Sequence, residues 1–340
     1  MEKRNLTIIM TVVISLTIGL IVLGLIFNKS ELEKINGFTG EFAISKDGTI
    51  AYVNYNEGEP ELYLSNNPHR PIITLDATKE ITDLVFTPAD SALFYIVNNK
   101  EIDSENLGST VFEVNINSLK INEVFTEEKL ITEITFDPKD ETVLFYLRAG
   151  TFENYSPIAR AYPHDFDIFS YSLDKKETTR HTSFEKYDMN SLQISDKEHI
   201  AYIQMTDDFD AETADELFEM KQKIFEISLE KPENVKVISE SGVEQDIYDM
   251  FYIYEYETII FQAVGSTSEK GIFEYELFAL DLNENKKTQL TFLKEYTEHP
   301  VYSAHDDKIY FIVDKKFAKS YPEYYLYRMN RDGSEMEEVI

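Results

Sequence analysis

A two-part pattern occurs six times between residues 40 and 340, and no other feature constrains the fold as strongly. Its first part is a short apolar segment that ends in an aromatic residue, at 50–52, 93–95, 144–146, 200–202, 259–261 and 309–311. Its second part places an aromatic among apolar and polar residues, as in Leu62-Tyr63-Leu64-Ser65. The aromatics of the second parts, from Tyr63 to Tyr327, are 49, 57, 56, 53 and 49 residues apart. Strand-patterned units of about 50 residues predict a radial array of small β-sheets.

Each repeat has enough apolar segments for four strands, which predicts an all-β fold. A strand precedes the first part and is joined to it by a turn such as Ser45-Lys46-Asp47-Gly48 or Thr87-Pro88-Ala89-Asp90. Gly, Pro and Asp supply the backbone angles that tight hairpins need. We therefore predict a six-bladed β-propeller of four-stranded antiparallel blades over residues 40–340, preceded by one transmembrane helix. The sequence leaves open whether residues 32–38 add a strand to the last blade.

The repeat resembles that of TolB-like six-bladed propellers of bacteria. The likeness is carried by the turn Ser45-Lys46-Asp47-Gly48, the following Ile50-Ala51-Tyr52, and the endings Gln289-Leu290-Thr291 and Asn330-Arg331-Asp332-Gly333. It covers nearly all of residues 40–340, although a full Ser-Pro-Asp-Gly turn is absent. Related repeats occur in the propeller domains of prolyl-oligopeptidase-type enzymes, but no hydrolase domain follows the sixth repeat. The resemblance implies a docking platform in the cell envelope.

The N-terminal segment is predicted to anchor the chain in the cell membrane. Residues 6–27 carry no charge and, as a helix, would span roughly 33 Å, enough to cross the hydrocarbon core. Lys3 and Arg4 precede this segment, which favours a cytoplasmic tail of residues 1–5 and an extracytoplasmic propeller. Residues 28–39 then form a linker. A cleaved signal peptide is the alternative, but the apolar run is long for one and no small-residue cleavage pattern follows it.

The charge balance excludes one class of partner. The chain has 63 acidic and 32 basic residues, a net charge of −31, and no cysteine. Nucleic-acid binding requires clustered basic residues, so we expect no nucleic-acid partner. An acidic surface attracts cations and basic proteins, although it also serves solubility alone. Without cysteine, no disulfide or thiolate metal site can form.

The longest insertion between the two aromatic parts of a repeat is the first candidate binding site. It runs from residue 148 to residue 167, and in a propeller all such loops project from one face. Its candidate ligand-binding residues are Arg148, Arg160, Tyr162, His164 and Asp165, and we add His299, which is expected on the same face. The alternative is a long loop that packs on itself.

A second candidate is a group of acids on the first strands of three consecutive repeats. Glu41, Asp83 and Glu133 each stand three residues before an apolar anchor, which predicts equivalent positions near the mouth of a central channel. Like charges so close raise one another's pKa or recruit a cation. A divalent ion such as calcium, or a basic group of a ligand, would fit there. The alternative is a hydrated channel lined by charged strand ends.

The sequence is compatible with two functions. The first is a non-enzymatic interaction module at the membrane that presents its loops to an envelope protein or peptide, with no cofactor required. The second is an envelope hydrolase or lyase with a metal-assisted site at the channel mouth. No Gly-x-Ser-x-Gly, phosphate-binding glycine loop or His-Glu-x-x-His motif occurs, which favours the first.

Overall fold

The computed structural model describes residues 2–27, 32–102, 106–153, 161–196, 199–209, 220–239, 245–319 and 321–340. Helix α1 (Glu2–Phe27) contains the predicted membrane segment. Among the described residues, no helix combines the length and the apolar character that a membrane crossing requires, so the predicted span is not confirmed. Two 3-10 helices, η1 (Leu32–Lys34) and η2 (Tyr254–Tyr256), are the other helical elements described.

The remaining regular structure is β-strand. The first two groups consist of β1 (Gly37–Ile44), β2 (Ile50–Asn56), β3 (Glu59–Leu64) and β4 (Ile73–Thr74), then β5 (Lys79–Phe86), β6 (Ala92–Asn99), β7 (Ser109–Asn115) and β8 (Ile121–Glu127). The third group consists of β9 (Ile131–Asp137), β10 (Asp140–Arg148), β13 (Asp167–Ser172) and β14 (Glu177–Arg180). Between β10 and β13 lies a small hairpin of β11 (Thr151–Glu153) and β12 (Tyr162–His164).

The later groups follow the same plan. The fourth consists of β15 (Met189–Ile194), β16 (Ile200–Thr206), β17 (Gln222–Ser228) and β18 (Val235–Val237). The fifth consists of β19 (Asp249–Ile253), β20 (Thr258–Thr267), β21 (Phe273–Asp281) and β22 (Lys286–Gln289). The sixth consists of β23 (Tyr296–Ser303), β24 (Lys308–Asp314), β25 (Tyr324–Asn330) and β26 (Glu337–Glu338).

Within every group, consecutive strands pair antiparallel. Four groups are separate four-stranded sheets, and the fifth and sixth are joined into an eight-stranded sheet through a single parallel pair, Tyr275 with Tyr296. The second strand of each group contains at least four consecutive buried residues, and all but the last residue of β6 are buried. Such strands lie between two partners and have sheets on both faces, which accounts for their nearly continuous apolar sequences.

The hydrophobic core is divided into clusters between neighbouring groups. One cluster joins Leu62 of the first group to Leu93 of the second, and others follow around the chain in the same way. The last cluster packs Phe42 and Tyr52 of the first group against Tyr310 and Leu326 of the sixth. The array is therefore closed. We refer to this contact as the first–last junction.

The sixth group is completed by its own chain segment. Strand β26 pairs with β25, and the backbone N–H of Val339 donates to the carbonyl of Leu326 at 2.7 Å. Residues 32–38, which the sequence left as a candidate for this position, instead contribute to η1 and to the start of β1. Strand β1 begins at Gly37, three residues before the predicted start of the domain at residue 40.

The strand order gives the array two different ends. Because the strands alternate in direction, the turns after the first and third strands of each group lie at one end, which we call the turn end. The connections after the second and fourth strands lie at the other, which we call the loop end. The β11–β12 hairpin belongs to the loop end, as the sequence predicted for the 148–167 insertion.

Candidate functional site

The first strands of all six groups line one cavity, the central channel. Its volume is about 860 Å³, and its lining runs from Lys46 and Asp90 at the turn end to Tyr162 and Tyr248 at the loop end. Among the described residues, the lining contains one lysine, Lys46, and six carboxyl groups. The carboxyl groups are those of Glu41, Asp83, Asp90, Glu133, Asp249 and Glu298. A channel with this excess of acids attracts cations and repels anions.

Several channel carboxylates bind the backbone of the next group. Asp83 accepts the N–H of Ile134 at 2.7 Å, although it belongs to β5 and Ile134 belongs to β9. Glu133 accepts the N–H groups of Ser191 and Leu192, each at 2.8 Å. These hydrogen bonds connect the second group to the third and the third to the fourth.

The same arrangement continues around the channel. The Ser191 hydroxyl accepts the N–H of Met250 at 3.0 Å and donates to Asp249. Asp249 accepts the N–H of His299 at 2.7 Å, which connects the fifth group to the sixth. Register shifts in β5, β9, β15 and β23 interrupt the regular pairing next to these positions. A bulge leaves backbone N–H groups without partners inside the sheet, and the carboxylates of the neighbouring strand supply acceptors.

Among the described residues, both sides of β1 lack this connection. Within the described residues, no carboxylate hydrogen bond joins β23 to β1 or β1 to β5 at this level of the channel. Instead, the His299 ring packs edge-on against Phe42 of β1, with 5.1 Å between ring centroids. Glu41 occupies the channel beside this contact, and no donor to its carboxylate is found in the same residues.

Burial raises the pKa of the channel carboxyl groups. It raises the pKa of Asp83 to about 7, against the two backbone hydrogen bonds that favour the ionised form. It raises the pKa of Glu133 to about 8 and that of Glu298 to about 7. Burial, followed by repulsion from Asp83, Glu298, Glu80 and Glu133, raises the pKa of Glu41 well above its usual range. Desolvation disfavours a charged carboxylate, so these groups hold protons near neutral pH.

The predicted binding residues of the 148–167 insertion are dispersed. Tyr162 lines the channel at its loop end, but Arg148 lies away from it, 3.3 Å from a Glu127 oxygen and 3.8 Å from the centre of the Phe169 ring. His164 is buried, and its Nδ1 lies 3.0 Å from an oxygen of Asp165. Asp165 also accepts the Thr151 hydroxyl at 2.6 Å, so this pair holds the base of the hairpin.

The channel lining includes His299, Glu41, Asp83 and Glu133. Arg160 lies outside the described residues. Burial lowers the pKa of the His299 imidazole, so the ring is neutral at neutral pH. The structure therefore brings Tyr162, His299 and the three acids into one cavity, whereas Arg148, His164 and Asp165 contact other parts of the third blade and its neighbour.

Sequence reasoning missed Asp249 and Glu298. Counting back three residues from Ile253 gave Met250 as the fifth position of the acid series. In the structure, however, Tyr252 pairs with Ile259, just as Phe86 pairs with Leu93 in the second group. The correct anchor is Tyr252, and counting back from it gives Asp249. Alignment on the residue that pairs with the next strand would have found this acid.

Exposed aromatic side chains are concentrated at the loop end. Among the described residues, the large exposed aromatics at this end are Tyr162, Tyr187, Phe209, Tyr248, Phe273, Phe292 and Tyr321, whereas Tyr256 alone lies at the turn end. Tyr162 and Tyr187 stack with 6.3 Å between their centroids, and Tyr187 also stacks on His164. The channel therefore opens, at its loop end, among aromatic rings.

Solved structures share this architecture. TolB from Acinetobacter baumannii aligns with a TM-score of 0.57 at 13% identity, over 84% of this chain and 62% of that chain. A putative TolB from Agrobacterium tumefaciens aligns with a TM-score of 0.53 at 10% identity, over 80% and 83%. This chain has a TolB-like propeller fold. The two ends, the channel and the groups described above are thus the faces, the central channel and the blades of a propeller.

An enzyme is also similar in structure. An oligogalacturonate lyase solved in complex with manganese aligns with a TM-score of 0.55 at 15% identity, over 90% of this chain and 77% of that chain. Neither a protein-family profile nor a curated protein sequence matches the chain. At these identities the structural likeness establishes the fold, and activity must be argued from the site. Within the described residues, no three His, Asp or Glu side chains are grouped closely enough to hold a metal ion.

Proposed function

We propose that this protein is an interaction module, a six-bladed propeller that binds a protein or peptide of the cell envelope at its loop end. The observation that carries the proposal is the unequal distribution of exposed aromatics between the two ends. Aromatic side chains are enriched at the centres of protein interfaces, where their burial contributes a large share of the binding energy. The adjoining channel gives this surface the concave centre in which such anchors are found.

Crosslinking in intact cells tests this proposal. We expect the full-length chain to crosslink to one defined partner, and the double variant Tyr162→Ala, Tyr187→Ala to lose that product by about tenfold or more, as for interface hot spots. Tyr256→Ala is the matched control, because Tyr256 and Tyr187 are each 40% exposed but lie at opposite ends. Equal crosslinking by the double variant and the control would argue against a binding surface at the loop end.

We further propose that α1 tethers the propeller to the outer side of the cell membrane. The support is the uncharged segment 6–27, together with the exposed apolar side chains of α1 from Met10 to Leu23. Lys3 and Arg4 favour a cytoplasmic N-terminus.

Because the chain has no cysteine, single engineered cysteines report this topology directly. In intact cells we expect a membrane-impermeant maleimide to label Lys34→Cys, and to label Glu2→Cys only after lysis. Labelling of neither site before lysis, with release of the protein by a carbonate wash, would contradict the tether.

The alternative is an envelope hydrolase or lyase with a metal-assisted site at the channel mouth. Its support is the structural likeness to an oligogalacturonate lyase that was solved in complex with manganese. The manganese belongs to the structure of that lyase. Asp83 and Glu133 already accept backbone N–H groups, which leaves them fewer free lone pairs for a metal. A calcium or manganese ion that remains after dialysis of the purified protein would favour this alternative.

A further inference from the structure

Glu41 differs from the other acids at its level of the channel. Asp83, Glu133 and Asp249 each accept N–H groups from a neighbouring first strand, whereas no donor to Glu41 is present in the described residues. Its carboxylate keeps some exposure to the channel but is surrounded by protein. Because this carboxylate is partly exposed in the channel lining, it can accept hydrogen bonds from a group that enters the channel.

Among the described residues, no basic side chain is found to compensate for Glu41. The charged groups with the largest effects on its pKa are all carboxylates, with Asp83 and Glu298 foremost. Lys100, which lies nearby, donates instead to the Gly58 carbonyl and sits 4.1 Å from the centre of the Tyr55 ring. The position beside Glu41 therefore has no internal counterion among the described residues.

A second acid and a phenol complete the surroundings. Burial, with the neighbouring carboxylates of Glu298, Asp314 and Glu41, raises the pKa of the Tyr324 phenol, which places this phenol near both channel acids. Its ring also lies against Gly40, 3.7 Å from the point where a β-carbon would stand. We call Glu41, Glu298 and Tyr324 the Glu41 site.

The acceptors of the Glu41 site suit an organic cation better than a metal ion. An ammonium or guanidinium group donates several hydrogen bonds and tolerates acceptors that are spread around it. A divalent ion needs carboxylates close together, and the described residues contain no such trio. The channel volume of about 860 Å³ also exceeds that of a long side chain.

We propose that the Glu41 site takes one cationic side chain, a lysine or arginine, from the partner bound at the loop end. This inference rests on the proposed function and specifies the chemistry of the partner. The aromatic rings around the entrance bind the apolar part of such a segment, and its charged end reaches the carboxylates of Glu41 and Glu298. The net charge of −31 attracts a basic partner over a longer range.

Binding of small peptides to the full-length protein in detergent tests the inference. We expect Ac-Gly-Lys-Gly-NH2 or its arginine counterpart to bind saturably by saturation-transfer NMR, and the acetyl-lysine peptide, which lacks the charge, not to bind. Glu41→Gln should weaken binding by about tenfold or more, since a hydrogen bond to a charged group is lost. Glu284→Gln removes an exposed acid from the β21–β22 turn and should change affinity by less than about twofold.

Proton release gives an independent readout. Because the pKa of Glu41 is raised well above its usual range, a bound cation must shift this group towards its ionised form. The heat of binding should therefore depend on the ionisation enthalpy of the buffer, and this dependence should decrease in Glu41→Gln. A thermal melt of the variant establishes that it is folded.

The outcomes separate the inference from the proposed function. Equal binding of the lysine and acetyl-lysine peptides, or unchanged affinity in Glu41→Gln, would overturn the inference. So would calcium or manganese binding that requires Glu41 and displaces the peptide. If Tyr162→Ala, Tyr187→Ala abolishes the cellular crosslink while Glu41→Gln preserves it, the interaction module stands and the cationic anchor is wrong. If neither variant affects any crosslink, the proposed function fails.

Discussion

Replacement of Asp167 by alanine is expected to destabilise the propeller by about 2–4 kcal/mol, because each buried donor that loses its acceptor costs about 1–3 kcal/mol. The Asp167 side chain is almost fully buried, and it accepts the Thr182 hydroxyl and the Phe184 N–H, each at 2.7 Å. It also pairs with the guanidinium of Arg180. Alanine at this position leaves these donors without their acceptor at the start of β13.

Chemical denaturation followed by circular dichroism measures this loss. Asp174→Ala is the matched control, because Asp174 lies in the β13–β14 turn of the same blade and is exposed. We expect the control to change stability by no more than about 0.5 kcal/mol. A similar change in both variants would show that the Asp167 hydrogen bonds do not stabilise the connection between the third and fourth blades.

Stability is expected to fall as the pH rises from about 5 to about 8.5, within the window set by the channel acids. The pKa of Asp83 and that of Glu298 are raised to about 7, and that of Glu133 to about 8, so the folded state binds more protons than the unfolded state there. Stability from these groups is complete below their unfolded pKa of about 4 and is lost as the pH passes their folded values. Exposed carboxyl groups are ionised throughout this range.

The melting temperature measured as a function of pH tests this expectation. A loss of about 1 kcal/mol lowers the midpoint of a large domain by roughly 2–4 °C, so several channel acids together should lower it by several degrees. Glu298→Gln removes one of these titrations and should reduce the pH dependence, whereas Glu284→Gln should not. A melting temperature that rises between pH 6 and pH 8 would contradict protonated acids in the channel.

The strand positions were predictable because the same apolar and aromatic pattern marks them in each repeat. The segment 50–52 begins β2, and 309–311 lies within β24, each next to a turn whose residues favour a hairpin. Four apolar segments every 50 residues have few packing solutions other than small sheets around an axis. Even the weakly apolar segment at 177–180 forms the fourth strand of the third blade, β14.

The side-chain partners in the site were less predictable, since they depend on pairs from different repeats. Arg148 pairs with Glu127 of the preceding blade, a contact that no spacing in the sequence reveals. Which of the acids accept backbone hydrogen bonds depends on bulges. Asp83, for example, accepts an N–H that the register shift in β9 makes available. Glu41 has the same sequence context as Asp83, but the corresponding N–H of the next group, that of Leu84, donates to the carboxylate of Asp83 instead, at 2.7 Å.

The first–last junction also has a consequence for biosynthesis. Phe42 and Tyr52 leave the ribosome early, whereas their packing partners Tyr310 and Leu326 follow roughly 250 residues later. At a synthesis rate of about 5–20 residues per second, the apolar surface of the first blade stays exposed for on the order of tens of seconds before its packing partners are made. The nascent chain therefore exposes a surface that chaperones for apolar strands can bind. Premature termination of synthesis would leave that surface exposed to solvent.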